Sequence, residues 1–185
     1  SLLCFLVLVF LHFRIPKKKR VEEDNLASIF AYSVVDPENY GVVNFDDKME
    51  PTQIIEKPDH PSSNFAVVGL YFFPNNVVEI AKKVKPSDRG ELEITAINNE
   101  YLNEGTLFVE KMGRGFAWFD TGTADSLLDA SYFIKTLEKR NGLKIGCIEE
   151  AAFRMGFINK EQVVKIASKF QKSGYGKYLI DLVKY

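Results

Sequence analysis

Two unbroken runs of apolar and aromatic residues limit the possible folds more than any other feature of the chain. Residues 28–35 read S-I-F-A-Y-S-V-V, and residues 64–73 read N-F-A-V-V-G-L-Y-F-F. A strand with water on one side alternates polar and apolar side chains, whereas an unbroken run is typical of a strand covered on both faces. The sequence therefore predicts a sheet that has further layers packed against it.

Strand patterns and helix patterns alternate along the rest of the chain. Further strands are predicted at residues 40–45, 53–55, 107–112 and 116–119, the first two as a hairpin. Helices are predicted at residues 75–84 (beginning after Asn75 or Asn76), 91–103, 124–140, 149–154, 159–170 and 174–183. The inward stripe of the longest helix is predicted to contain Leu127, Leu128, Ala130, Ser131, Ile134 and Leu137. This alternation indicates an α/β fold.

Length, charge and cysteine usage exclude several classes of protein. The 185 residues amount to about one domain, and 46% hydrophobic with 26% charged residues is typical of a globular protein. A formal net charge of −1 argues against nucleic acid as the main partner, because phosphate binding needs a basic face. Cys4 and Cys147 have neither metal-ligand spacing nor a disulfide framework, so a reducing, cytoplasmic setting is expected.

The first 21 residues, here called the lead-in, do not share the pattern of the rest. Residues 1–15 are nearly all apolar and run into the basic segment Pro16-Lys17-Lys18-Lys19-Arg20. The apolar part is shorter than the roughly 20 residues of a membrane-spanning helix, and it lacks the features of a signal peptide. The basic segment resembles a nuclear-import signal, but such clusters are commonly just solvated. Because the chain does not begin with Met, we expect it to begin inside a longer sequence. For the lead-in itself, we expect a mis-joined or mistranslated segment rather than a membrane anchor.

The stretch Gly113-Arg114-Gly115-Phe116-Ala117-Trp118-Phe119-Asp120-Thr121-Gly122-Thr123 is the main candidate for a functional site. Asp120 is predicted to end a short buried strand at residues 116–119, with Thr123 as the N-cap of the next helix. Open α/β sheets bind ligands at the carboxyl ends of their strands, so this carboxylate suits a ligand site. The alternative is an ordinary strand–turn–helix junction in which Asp120 caps the helix.

Several motifs follow one another in an order that is specific when they are taken together. The most distinctive are Arg89-Gly90-Glu91-Leu92-Glu93-Ile94-Thr95 and, further on, Trp118-Phe119-Asp120-Thr121-Gly122-Thr123. The others are Tyr40-Gly41-Val42-Val43, Glu56-Lys57-Pro58, Ser63-Asn64-Phe65-Ala66-Val67, Gly69-Leu70-Tyr71-Phe72 and Glu149-Glu150-Ala151-Ala152-Phe153-Arg154. In this order they resemble the glucose-1-phosphate thymidylyltransferases of bacteria and archaea. The resemblance covers about residues 24–185 and corresponds to the C-terminal part of that family's enzymes.

The resemblance implies a partial, Rossmann-like nucleotidyltransferase fold. It is expected to have a mixed sheet flanked by helices and a C-terminal helical segment. Residues 22–141 would form the sugar-phosphate-binding part, after the lead-in, and residues 142–185 a helical segment for regulation or oligomerisation. Without the family's first strands, the run at 28–35 is expected to become an exposed edge of the sheet.

The activity implied is the formation of dTDP-glucose and pyrophosphate from dTTP and glucose 1-phosphate, as in dTDP-rhamnose biosynthesis. Partners would be glucose 1-phosphate, dTTP or a dTDP-sugar, and further copies in a homo-oligomer; neither nucleic acid nor a membrane is expected. The family's glycine-rich phosphate loop and first metal-binding aspartate have no counterpart in this sequence, so the chain is expected to be inactive alone. The alternative is a non-catalytic sugar-nucleotide-binding or oligomerisation module. Whether dTTP or UTP is preferred stays open.

The resemblance also assigns roles to individual residues. The hexose pocket would contain Tyr40, Gly41, Glu56, Lys57 and Val67, with Tyr71 and Trp118 as apolar walls. Lys57 and Arg89 would contact phosphate, and Asp120 would be one of two carboxylates that hold Mg²⁺, so these three are the catalytic candidates. The structural alternatives are a solvated Lys57 before a proline and an Arg89 that merely begins a helix.

A second, regulatory site is implied near Arg114, Glu150 and Arg154, where the family binds the nucleotide sugar that ends the pathway. The alternative is an ordinary ion pair, because Glu150 and Arg154 have i,i+4 helical spacing. Such a pair contributes about 0.3–0.5 kcal/mol to stability.

Overall fold

The computed structural model describes residues 26–170 and 172–184. They fall into two compact units, the first ending at Trp118 and the second beginning at Phe119. The lead-in lies outside the described residues, and so do the expectations about its origin and its alternatives. The predicted region boundaries at residues 21/22 and 141/142 stay predictions.

The first unit is built on a mixed five-stranded sheet. Its strands are β1 (Ala27–Ser33), β2 (Gly41–Phe45), β3 (Pro51–Glu56), β4 (Phe65–Phe72) and β5 (Leu107–Lys111). They lie in the order β3-β2-β4-β1-β5. β1 and β5 are parallel, while the other neighbouring pairs are antiparallel, including the predicted β2–β3 hairpin. The predicted mixed sheet is thus confirmed.

β1 is an interior strand of this sheet. Every residue from 27 to 31 is buried, as its unbroken apolar run predicts, whereas Val35 lies beyond the strand and is fully exposed. The expectation that this run would form an exposed edge is wrong. The reason is the parallel pairing of β1 with β5, which a sequence pattern does not reveal.

Two helices belong to the first unit, α1 (Val77–Ala81) and α2 (Ile94–Asn103). α2 packs Ile97 and Tyr101 against Ala27 of β1. The Asn99 side chain accepts from the Ile54 backbone N–H at 3.3 Å and donates to the Ile54 carbonyl at 2.9 Å. α2 begins at Ile94 rather than at residue 91, because Glu93 is still extended and residues 88–90 form a turn. α2 thus lies against β3 as well as against β1.

The segment at residues 116–119 is not a strand, contrary to the sequence prediction. The Phe116 N–H donates to the Gly113 carbonyl within a turn, and the Phe116 carbonyl accepts from the Tyr32 hydroxyl. These backbone groups therefore serve a turn and a side chain rather than a ladder. Asp120 forms an isolated bridge and does not end a strand.

The second unit is helical. Its helices are α3 (Ala124–Asn141), α4 (Ile148–Arg154), α5 (Lys160–Ala167) and α6 (Gly174–Leu182), with a 3-10 turn at Ser168–Phe170. Thr123 caps α3 as predicted, through a reciprocal capping box with Ser126. Cys147, Val163, Ala167 and Leu179 form the core under α4–α6. Among the helices of the described part, none is long and apolar enough to cross a membrane.

The inward stripe predicted for α3 is only partly correct. Ala130 is buried, and Ile134 and Leu137 are half-buried, but Leu127, Leu128 and Ser131 are exposed. The buried side of α3 is therefore not the side that hydrophobic spacing alone indicates. After Gly142, which has a φ of 69°, the chain continues as an irregular link to α4.

Candidate active site

Gly41, Glu56 and Val67 meet on one face of the sheet, as the resemblance implies. Gly41 of β2 is paired with Glu56 at the end of β3. A Cβ atom placed on Gly41 would lie 3.0 Å from Glu56 Oε2 and 3.9 Å from Val67 Cγ2. A larger residue at position 41 would therefore occupy the space beside the carboxylate. This arrangement leaves room for a ligand to approach Glu56 closely.

Thr95 completes this group, although the sequence analysis assigned it no role of its own. Its hydroxyl donates to Glu56 Oε2 at 2.5 Å and is buried in the first turn of α2. A buried hydroxyl needs a partner, and Thr95 closes one of the distinctive motifs. Those two signals could have identified it. The bond positions one oxygen of the Glu56 carboxylate.

An aromatic pair lies beside the backbone of Gly41. The Tyr40 and Trp118 rings are in edge-to-face contact, with centroids 5.0 Å apart. Tyr32 also contacts Trp118, at 6.3 Å. The indole Nε1 of Trp118 is buried and has no acceptor among the described residues. A buried donor without a partner is costly, so Trp118 has an N–H to offer to a ligand.

Tyr71, the other predicted wall, is half-buried and packs beside the core. Its ring stacks on Phe73 with centroids 5.7 Å apart, and Phe73 stacks in turn on Tyr101 at 5.4 Å. Tyr71 packs against the buried cluster that contains Ile29 and Val43. Its role as a pocket wall stays a prediction.

Lys57 follows β3 in an unusual backbone conformation. Its φ is +43°, and its backbone N–H donates to the Tyr40 carbonyl at 2.9 Å. Positive φ is uncommon for a residue with a side chain, and such strain is concentrated at functional sites. The hydrogen bond ties Lys57 to Tyr40, so the two lie together at the Glu56 end of the hairpin. The Lys57 side chain is exposed.

Arg89 lies in the loop before α2 and already has acidic partners. Its guanidinium lies 3.2 Å from Glu91 Oε2 and 3.5 Å from Glu93 Oε1. Glu93 also accepts from the Ser87 hydroxyl at 3.1 Å. The Arg89 side chain is partly exposed, and such surface pairs contribute at most about 1 kcal/mol. A phosphate group can therefore compete for this arginine.

Asp120 belongs to the second unit and is half-buried. Within residues 26–170 and 172–184, no cluster of three or more His, Cys, Asp or Glu residues could hold a metal ion. Mg²⁺ commonly takes only one or two protein carboxylates and completes its shell with water and substrate phosphates. A single carboxylate is compatible with that chemistry but does not establish it, so the metal role of Asp120 stays a prediction.

The predicted regulatory residues fall in both units. Arg114 is an exposed turn residue of the first unit. In the second, Arg154 Nε donates to Glu150 Oε1 at 2.7 Å, which is the i,i+4 ion pair of the structural alternative. The Tyr178 hydroxyl donates to the other oxygen of Glu150. Burial, and then this bond, raises the pKa of Tyr178 to about 12.

A similar hydrogen bond joins α4 and α6 through Glu149, the residue before Glu150. The Tyr175 hydroxyl donates to Glu149 and lies 3.2 Å from the buried Cys147 Sγ. Neighbouring carboxylates of α4 thus hold two tyrosines of α6. Neither tyrosine contact could be predicted from the sequence, because the partners of two packed helices are not local in the chain.

The nucleotidyl transferase family model matches residues 14–136. Because this match covers more than half of the chain, the protein belongs to the nucleotidyl transferase family.

Individual relatives refine that assignment. The chain is 52% identical over 166 residues to a glucose-1-phosphate thymidylyltransferase of Mycobacterium tuberculosis (strain ATCC 25618 / H37Rv), and the match covers 90% of the chain. It is 46% identical to the Neisseria gonorrhoeae enzyme of the same name, also over 90% of the chain. The chain spans 58% of the length of both relatives. The resemblance stated from the motifs is therefore confirmed.

Solved structures show the same fold. A glucose-1-phosphate thymidylyltransferase structure from Bacillus anthracis, in complex with a sucrose, has a TM-score of 0.54 and 41% identity. That match covers 63% of this chain and 48% of the other. A UDP-glucose pyrophosphorylase complexed with UDP-glucose has a TM-score of 0.58 at 20% identity, which bears on the fold alone. The predicted partial, Rossmann-like fold is thus confirmed.

Proposed function

We propose that this chain is the sugar-phosphate-binding part of a glucose-1-phosphate thymidylyltransferase. The complete enzyme would form dTDP-glucose and pyrophosphate from dTTP and glucose 1-phosphate. The observation that carries this proposal is the group formed by Gly41, Glu56 and Thr95, in a chain 52% identical to a glucose-1-phosphate thymidylyltransferase.

Glu56 is suited to bind the hexose. A carboxylate accepts hydrogen bonds from two neighbouring sugar hydroxyls, and the Thr95 hydroxyl limits its rotation. Gly41 leaves space for the ring beside this carboxylate. The Trp118 and Tyr40 rings contact each other, and Tyr40 directly precedes Gly41, so they offer an apolar surface next to this space. The unpaired Trp118 Nε1 supplies a hydrogen-bond donor. These features together match a polyol with one apolar face.

Lys57 and Arg89 are proposed to contact phosphate. The rigid guanidinium fork of Arg89 matches phosphate oxygens, and exchange of its partly exposed glutamate partners for phosphate costs little. In the reaction, an oxygen of the sugar phosphate attacks the α-phosphate of dTTP, and pyrophosphate leaves. Such transfer depends on positioning and charge neutralisation rather than on a covalent nucleophile.

Asp120 is proposed to hold Mg²⁺ together with a carboxylate from the part of the relatives that this chain does not span. The ion would neutralise charge on the phosphates. A cytoplasmic location, a homo-oligomeric state and a regulatory site at Arg114, Glu150 and Arg154 also belong to this proposal.

The proposal is tested by joining residues 22–185 to the N-terminal part of the M. tuberculosis relative and measuring pyrophosphate release. Arg89→Ala should lower kcat/KM for glucose 1-phosphate by an amount equivalent to about 2–4 kcal/mol, because a charged donor near developing negative charge is lost. Asp120→Asn should abolish Mg²⁺-dependent turnover. Arg140→Ala and Asp47→Asn, both at exposed positions, are the matched controls.

Two results would contradict these roles. If Arg89→Ala changes only the KM for dTTP, the arginine does not bind the sugar phosphate. If Asp120→Asn retains nearly normal turnover, the metal assignment is wrong. A joined chain that binds nucleotide sugar but releases no pyrophosphate would favour the non-catalytic binding module.

A further inference from the structure

The Glu150 carboxylate is held from two helices at once. Its Oε1 accepts from Arg154 Nε at 2.7 Å within α4, and its other oxygen accepts from the Tyr178 hydroxyl of α6. The Glu150 side chain is only 15% exposed. Because burial, above all, raises the pKa of Tyr178 to about 12, the hydroxyl keeps its proton at neutral pH and donates it. With both oxygens engaged, the carboxylate is fixed in one orientation.

The fixed carboxylate in turn orients the Arg154 guanidinium. Among the described residues, the hydrogen bond from Nε to Glu150 is the only one that this guanidinium donates, and the side chain is 52% exposed. An ion pair through Nε leaves the two terminal nitrogens to bind the oxygens of a phosphate group. A flexible arginine loses rotational freedom when it binds, whereas an arginine that is already oriented loses less. Glu150 therefore prepares Arg154 for an anionic ligand.

We infer that Tyr178 is a positioning residue of the proposed regulatory site, and that it acts through Glu150 to present Arg154 to the diphosphate of a nucleotide sugar. In this arrangement Tyr178 contacts the carboxylate and not the ligand. The inference rests on the regulatory role proposed for Glu150 and Arg154. It makes α6, which contributes Tyr178, part of the regulation.

Tyr175 provides a matched control in the same two helices. Its hydroxyl donates to Glu149, the neighbour of Glu150. Tyr175→Phe therefore removes the same kind of bond between α4 and α6 as Tyr178→Phe, but leaves both partners of the Glu150 carboxylate in place. If Tyr178 only held the helices together, the two substitutions would have similar effects. A positioning role predicts an effect on ligand binding from Tyr178→Phe alone.

The first measurement is the inhibition of pyrophosphate release by dTDP-rhamnose, in the chain joined to the N-terminal part of the M. tuberculosis relative. Tyr178→Phe should raise the half-inhibiting concentration by about tenfold, because a hydrogen bond to a charged group is lost. Tyr175→Phe should leave it nearly unchanged. Tyr178→Phe should add nothing to the effect of Glu150→Gln, because it acts through that carboxylate. Equal shifts in the two tyrosine variants, or no shift in Tyr178→Phe while the unaltered chain is inhibited, would overturn the inference.

The second measurement needs no ligand, so it separates this inference from the proposed regulation. Hydrogen exchange of the Arg154 Nε–H is followed by NMR in the isotope-labelled 185-residue chain. Tyr178→Phe should speed this exchange, since the acceptor is no longer fixed, and Tyr175→Phe should not. If dTDP-rhamnose does not inhibit the unaltered joined chain, the regulatory role fails and the exchange rates alone decide the positioning. Equal rates in Tyr178→Phe and the unaltered chain would then show that Tyr178 does not position Arg154.

Discussion

The Glu56 carboxylate leaves too little space for a side chain at position 41, whereas the backbone conformation of Gly41 would permit one. The backbone of Gly41 is not in the left-handed region, so its conformation suits any residue. A Cβ there would lie 3.0 Å from Glu56 Oε2 and 3.2 Å from Thr95 Oγ1. The glycine therefore preserves the geometry of the proposed hexose site rather than the fold.

This distinction leads to a prediction for Gly41→Ala. In the joined chain, affinity for glucose 1-phosphate should fall by about 10–100-fold, because the methyl group displaces Glu56 and fills space needed by the ring. Thermal stability should change little, since the atoms contacted are ends of side chains that can move. Titration calorimetry and thermal unfolding measure the two quantities. Gly69→Ala is the control, because no heavy atom lies within 4 Å of its added Cβ; equal affinities in both variants would contradict the role of Gly41.

Among the elements, α4 and α6 are joined by two partly buried hydrogen bonds, each between a tyrosine and a glutamate. Tyr178 donates to Glu150, and Tyr175 donates to Glu149. Burial first, and then hydrogen bonding, raises the pKa of both tyrosines, that of Tyr178 from 10.0 to about 12. A tyrosine whose pKa is raised by folding stabilises the protein fully below its unfolded pKa. That stabilisation is lost as the pH rises through the folded value.

We therefore predict that the second unit loses stability between about pH 10 and about pH 12. In Tyr178→Phe, the decline of the unfolding temperature across this range should be shallower, because one of the tyrosines responsible is absent. The measurement is thermal unfolding, followed by circular dichroism, at a series of pH values. Tyr132→Phe, at an exposed position of α3, should decline as steeply as the unaltered chain. Identical slopes for both variants would show that the Tyr178–Glu150 bond does not carry the effect.

For the whole molecule, the question is how many groups the described part offers to a nucleoside triphosphate. A triphosphate is bound by several converging donors, and the two proposed phosphate contacts, Lys57 and Arg89, are too few to hold dTTP. The chain spans 58% of the length of its M. tuberculosis relative. We therefore propose that further dTTP-binding groups come from the part of the relatives that this chain does not span.

We predict that the 185-residue chain alone releases no pyrophosphate from dTTP and glucose 1-phosphate. Release should appear when the N-terminal part of the relative is supplied, either joined to the chain or as a separate polypeptide. A coupled pyrophosphate assay with Mg²⁺ present measures both cases. The joined chain carrying Asp120→Asn serves as the inactive reference. Turnover by the isolated chain would show that the residues present here are sufficient, contrary to this prediction.

Local sequence patterns determined much of this protein. The buried strand β1, the β2–β3 hairpin and the Thr123 cap of α3 were all predictable, since each depends on residues close together in the chain. The family was predictable as well, because its motifs are short and ordered. Gly41, Glu56 and Val67 were placed in one site only through that resemblance.

Tertiary contacts decided the remainder. Residues 116–119 have the composition of a strand, but their backbone serves a turn and the Tyr32 hydroxyl. Thr95 fits an apolar stripe, but its hydroxyl lies against Glu56, which is 39 residues away in the chain. β1 became an interior strand through pairing with β5. Hydrophobicity and spacing indicate which secondary structure a segment can form by itself. Partners distant in sequence determine which backbone groups pair and which face of a helix is buried.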